Sequence, residues 1–132
     1  MDSIESISVT GLTAAQWRLQ VSAQNTANAD DSAPLQDSGI KGPAPFVPTR
    51  VQMVSLGSGG VRAQLSAAQP ASVAAYEPDS PYADSQGMVA KPAVDPVSET
   101  VGRMQALQQY KAAALMIEAH NKMQKSALKM LA

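Results

Sequence analysis

All nine prolines of this 132-residue chain lie between Pro34 and Pro96, and none falls in residues 1–31 or 97–132. Proline fixes φ and removes a backbone donor, so it breaks helix interiors and interrupts ladders. The partition restricts long helices to the two ends and leaves a turn-rich middle. It predicts an α+β chain, with long N- and C-terminal helices pairing as a coiled coil around a small, Pro/Gly-rich middle segment that contains a β-hairpin. Four parts follow: an N-terminal helix in 1–31, an irregular and β-rich middle over 32–75, a rigid Pro/Gly junction over 76–96, and a long C-terminal helix over 97–132.

The first end has helical spacing. Leu12, Ala15, Leu19, Ser22 and Thr26 recur at steps of three and four, a stripe of mostly small residues that lets a partner helix approach closely. Trp17 falls off this stripe and is placed for a second contact. The helix is expected to fray at the N-A-D-D of 28–31, where Asn and Asp favour turns. At the other end, Asp95 suits an N-cap and Pro96 the first helical position, where a missing N–H costs nothing. Two seven-residue ladders follow: Leu107, Ala114, Asn121, Leu128, and Tyr110, Ile117, Gln124, Leu131. Together they make a seam of coiled-coil type. At ~1.5 Å per residue, such a helix spans roughly 50 Å, longer than a compact core of this size, so its apolar face calls for another helix.

Charge points the same way. Residues 1–31 hold four acids and one base, whereas residues 100–132 hold five bases and one acid. Opposite signs favour pairing of the ends, within one chain or between chains. In the middle, TRVQMVS (49–55) and GVRAQLS (60–66) alternate in polarity around LGSGG (56–60), which predicts a hairpin with a glycine loop. ASVAAY (71–76) reads as a third strand, and 32–48 as irregular.

Composition narrows the function. The hydrophobic fraction is 45%, but only one Trp, one Phe and three Tyr are present. A chain so poor in large anchors buries a modest core and gains from partners. A net charge of −1 carries no nucleic-acid signature. The absence of cysteine removes disulfides and thiolate chemistry. Asp2 and Glu5 stand where a secretory signal carries bases, and no apolar run suits a signal core or a membrane span. Chemistry-bearing constellations are missing. His120 is alone of its type, with only Glu118 nearby, and reads as a solvated or interface histidine rather than a ligand. Ser126 and Lys129 match an S-x-x-K spacing without the companion motifs of serine acyl-enzymes. GSGG lacks the lysine of a phosphate loop. Asp79, Asp84 and Asp95 are explained by turns and a cap. No catalytic, metal or cofactor site is predicted.

The order of motifs completes the reading. Gly11-Leu12 lies in the first helix and Asn25-x-Ala27-Asn28-Ala29 at its end. Tyr76-x-Pro78-x-x-Pro81-x-Ala83-Asp84-x-x-Gly87-x-Val89-x-x-Pro92-x-Val94-Asp95 precedes the long helix, in which Met104, Tyr110, Ala112, Asn121 and Leu131 stand. This order resembles the bacterial flagellar basal-body rod proteins, and among them the short C-type members of the proximal rod. The chain departs at Ala93 and Ala113, where the family pattern has Asn. The resemblance implies a structural axial subunit, not an enzyme, without cofactors. Its terminal helices would pack against other rod subunits and basal-body proteins in a rod that spans the periplasm. It would leave the cell through the flagellar type III export apparatus, incompletely folded, without a cleaved signal peptide or membrane insertion, and would stay monomeric until assembly. The interface expected on that basis comprises Leu12, Ala15, Leu19, Asn25 and Asn28 with Leu107, Tyr110, Ala114, Ile117, Asn121, Leu128 and Leu131. The junction that sets the exit angle of the long helix comprises Tyr76, Pro78, Pro81, Asp84, Gly87, Pro92, Asp95 and Pro96. The alternative reading is a helical adaptor that binds one partner without polymerising.

Overall fold

The computed structural model describes residues 3–131; Met1, Asp2 and Ala132, which belong to the expected terminal blocks, lie outside the described residues. The chain is α+β. Helix α1 (Ser3–Ala27) is followed by strands β1 (Thr49–Ser55), β2 (Val61–Ala67), β3 (Ser72–Tyr76) and β4 (Met88–Pro92), then by helix α2 (Pro96–Leu131). The strands form two separate two-stranded sheets, β1–β2 and β3–β4. The five-residue connection of β1 to β2 permits only an antiparallel pair. The third expected strand is present as β3, but its partner is β4, inside the segment expected to be a rigid Pro/Gly junction.

Pro92 is why β4 escapes a sequence reading, since proline removes a ladder donor. Here it costs nothing. The register pairs Ser72 with Pro92, Ala74 with Ala90 and Tyr76 with Met88. Ala90 spends its N–H and C=O on Ala33, at 2.8 and 3.0 Å. Alternation then turns the backbone of Pro92 the same way, off the β3 ladder.

Two compact units divide the chain. The first comprises Met1–Gln20, Val51–Gln64 and Val101–Ala132, and the second Val21–Arg50 and Leu65–Thr100. In the first, α1 and α2 touch. The Cα hydrogen of Gly11 points at Ala113, whose Cβ lies 4.0 Å from where a Gly11 side chain would begin. Arg18 donates to Gln109 Oε1 at 2.8 Å. The contact moves back along α2 as α1 advances, so the helices run antiparallel. The hairpin loop rests on α1: Val61 N–H donates to Thr10 Oγ1 at 3.2 Å. Gly60 has φ +87°, and a Cβ there would collide with Thr10 Oγ1. Only glycine fits both that backbone and that approach.

The second unit holds Val89, the largest fully buried side chain among the described residues, together with buried Ala33, Ala68 and Ala90. The eleven residues 77–87 that join β3 to β4 are built by their own backbone. Asp84 Oδ1 accepts from Gln86 and Met88 N–H at 2.8 and 2.9 Å. Glu77 N–H donates to the carbonyl of Gly87, whose φ is +76°. The motif spacing of Tyr76, Pro78, Pro81, Asp84 and Gly87 thus belongs to a hairpin connection. Among the described residues, no helix is long and apolar enough to cross a membrane.

Candidate assembly surface

The motif at the end of α1 has a physical role. Asn25 is 4% exposed. Its amide donates to Thr49 C=O at 2.9 Å and accepts from Thr49 N–H at 3.0 Å, so it pairs with one peptide group as a neighbouring strand would. Its second N–H meets Glu99 Oε1 at 2.8 Å, and Ser22 Oγ donates to the Glu99 carbonyl at 3.2 Å. One side chain fastens the end of α1, the start of β1 and the first turn of α2. Asn28 acts locally, donating to the carbonyl of Gln24 at 2.7 Å.

The first turn of α2 is capped as expected. Asp95 accepts from Val97 and Ser98 N–H at 3.2 and 3.1 Å and from the Ser98 hydroxyl. These bonds, that of the Ser98 hydroxyl foremost, favour its ionised form and lower its pKa. Nearby, Lys91 Nζ lies 2.5 Å from Glu77 Oε1, and Ser32 Oγ donates to Glu77 Oε2 at 2.6 Å. Lys91 and then Ser32 hold the Glu77 carboxyl below its usual range, and Glu77 raises Lys91 in return. This cluster was invisible in sequence, because its members are fourteen to fifty-nine positions apart.

On α2, the positions turned inward are Ala106, Tyr110, Ala113, Ile117 and His120, buried or half-buried at steps of four and three, with half-buried Ala114 beside them. Of the expected seam, Tyr110, Ala114 and Ile117 lie on or beside this stripe. Leu107, Asn121, Leu128 and Leu131 are exposed. On α1, Ala15 and Asn25 are buried, Leu12, Leu19 and Asn28 half-buried, and Trp17 40% exposed. The expected seven-residue ladder runs through Leu107. The buried residue is its small neighbour Ala106, seven before Ala113 and fourteen before His120. That spacing was the signal available. His120 is buried, with Gln124 Nε2 3.0 Å from its Nε2. Of the junction, Pro92 is buried, Asp84 and Gly87 half-buried, and Tyr76, Pro78, Pro81, Asp95 and Pro96 exposed.

A second apolar face of α2 was not anticipated. Val101, Met104, Leu115 and Met123 are 49, 61, 63 and 61% exposed, with Met116 and Met130 beside them. At ~100° per residue they fall roughly opposite the inward stripe. Lys111, Lys122 and Lys129 border them, and Lys122 pairs with Glu118 at 2.6 Å. Among the described residues, no group of three or more His, Cys, Asp or Glu could hold a metal.

A family model described as the flagellar basal body rod FlgEFG protein C-terminal matches residues 85–130. Flagellar basal-body rod protein FlgC of Escherichia coli O157:H7 is 34% identical over 83% of this chain and 82% of its own length. The chain belongs to the flagellar basal-body rod protein family. The FlgC of Salmonella typhimurium (strain LT2) is likewise 34% identical with the same coverage, and that of Bacillus subtilis (strain 168) is 30% identical over 92% of both chains. Membership makes this a structural protein of the basal body, not an enzyme. The matched 85–130 region of this family member contains β4, the Asp95 cap and both faces of α2 up to Met130.

Proposed function

We propose that this chain builds the proximal part of the flagellar rod through its terminal helices, which pair as a coiled coil within a subunit and pack between subunits. As a rod-family member it is a structural subunit of the flagellar basal body and assembles with other rod and basal-body components. The second apolar face of α2 carries the proposal for helix-mediated packing. A helix with apolar residues on two sides needs a layer on each. The contact of Gly11 and Arg18 of α1 with α2 supplies one, and a neighbouring subunit would supply the other. Such a heterologous contact does not close on itself and propagates as a tube.

In this reading the blocks 1–31 and 97–132 are the assembly elements. Leu12, Ala15, Leu19, Asn25 and Asn28 set the α1 side, and Leu107, Tyr110, Ala114, Ile117, Asn121, Leu128 and Leu131 the α2 side. The block 32–75 projects its strands. The block 76–96 fixes the exit of α2 through Asp95 and Pro96. The chain passes through the flagellar export apparatus incompletely folded, without a cleaved signal peptide, and remains monomeric until incorporated. Its alanine-dominated core supports that route.

The test is a strain lacking this chain, with electron microscopy of isolated hook–basal bodies. Loss of rod, hook and filament, restored by the intact chain but not by Met123→Asp, is the expected result. Normal basal bodies in that strain would favour a non-polymerising adaptor. Pro92→Ala with Pro96→Ala should impair assembly more than export.

A further inference from the structure

Charge is divided between the two compact units. The first carries seven bases and three acids, the second three bases and eight acids. In the first unit the excess runs along the exposed face of α2. At ~100° per residue, Lys111, Lys122 and Lys129 fall within about 40° of one another and of Met104 and Leu115. All five are exposed. Lys122 meets Glu118, and among the described residues Lys111 and Lys129 meet no carboxylate. In the second unit, residues 30–32 and 76–82 enclose a hollow of about 630 Å³. Asp30, Asp31, Glu77 and Asp79 line it. Lys91 offsets Glu77 and lies 4.0 Å from Asp30. Among the described residues Asp31 and Asp79 meet no base. The hollow also has apolar walls: Tyr76 is 69% exposed, and Pro78 and Pro81 stand beside it. Each surface is thus apolar with unpaired charges of one sign, and the signs are opposite.

We propose that the exposed face of α2 docks on the acidic hollow of a second copy of this chain. The inference rests on the subunit-packing reading and names the surface that the neighbour presents. Charge complementarity selects the occupant, because the chain itself carries the matching surface. Exposed ion pairs contribute little alone. The flexible methionines supply the attraction by adapting to Tyr76 and the prolines, and the lysines set orientation and register against the aspartates. Two different surfaces meet, so the contact is head-to-tail and leaves each copy one surface for the next.

The chain has no cysteine, so engineered thiols are unambiguous. Ser126→Cys on the exposed face of α2 and Ser80→Cys in the hollow are carried on separately tagged full chains, which are mixed at low ionic strength and treated with a short bis-maleimide. A mixed-tag product is expected, at least fivefold above that of Ser126→Cys with Ser55→Cys on the first hairpin. Lys111→Glu with Lys129→Glu in the first copy should lower it at least fivefold, as should Asp31→Lys with Asp79→Lys in the second. The two altered copies together should restore it, with unchanged circular dichroism. Should a reversal variant misfold, salt at about 0.5 M should lower the product of the unaltered surfaces instead. A product that is absent, or indifferent to both the folded reversals and salt, or not restored by the paired reversals, overturns the proposal. Binding to vesicles of anionic phospholipid without mixed-tag product would overturn it in favour of a lipid surface. Normal basal bodies in the strain lacking this chain would remove the rod reading and leave a positive cross-link standing. Rods that require Met123 without any cross-link would remove this proposal alone.

Discussion

Asn25 does at residue scale what a strand does at element scale. It presents a donor and an acceptor to one peptide group and still has an N–H left for Glu99. Replacing it with alanine leaves the Thr49 peptide and Glu99 without these partners in a half-buried place, at a cost of about 2–3 kcal/mol. A urea titration of the purified chain should show the midpoint shift at constant slope. Titration adds a second expectation. Glu77 and Asp95 have pKa values lowered by folding, so their contribution is present above the unfolded carboxylate range and is lost as pH falls through the folded values. Lys91, raised by Glu77, contributes below the ordinary lysine range and its share is lost as pH rises through its folded value. The urea midpoint should therefore fall on the acid side, and Glu77→Gln should flatten both that limb and the alkaline one. Local chemistry of this kind is what sequence conveys well: the Asp95 cap and the Pro96 start are determined within four residues. Partners far apart, such as Ser32, Glu77 and Lys91, are brought together only by the register of β4, and nothing in their spacing announces it.

At element scale, helices and the first hairpin were legible because each declares itself over seven residues or more. β4 was not, because a five-residue strand ending in Pro92 carries the mark of a loop. Leu107 of the expected seam is exposed, and its small neighbour Ala106 is the residue buried within the chain. Close helix approach is limited by bulk, and Ala106 beside a glycine-containing α1 satisfies it better. The two faces of α2 separate experimentally. Ile117→Asp places a charge on the inward stripe and should lower the stability of the isolated chain by about 1–3 kcal/mol, measured by thermal denaturation. Met123→Asp lies on the exposed face and should leave stability within about 0.5 kcal/mol while abolishing assembly in cells. The hairpin loop makes its own prediction. Gly60→Ala combines a left-handed backbone with the approach of Thr10, and should cost about 1–3 kcal/mol.

Across the whole molecule, buried apolar side chains are small. Among the described residues the hydrophobic core consists of Ala14, Ala15, Ala33, Ala68, Ala90 and Ala106 with Val21 and Val89. Unfolding such a chain exposes less hydrocarbon than unfolding an ordinary domain of this length. The heat-capacity increment should accordingly fall below the usual ~12–15 cal/mol/K per residue, and calorimetry can measure it. A small increment flattens the stability curve. A protein built this way varies little in stability between cold and warm surroundings, so a subunit joined by its helices would keep the same margin across that range.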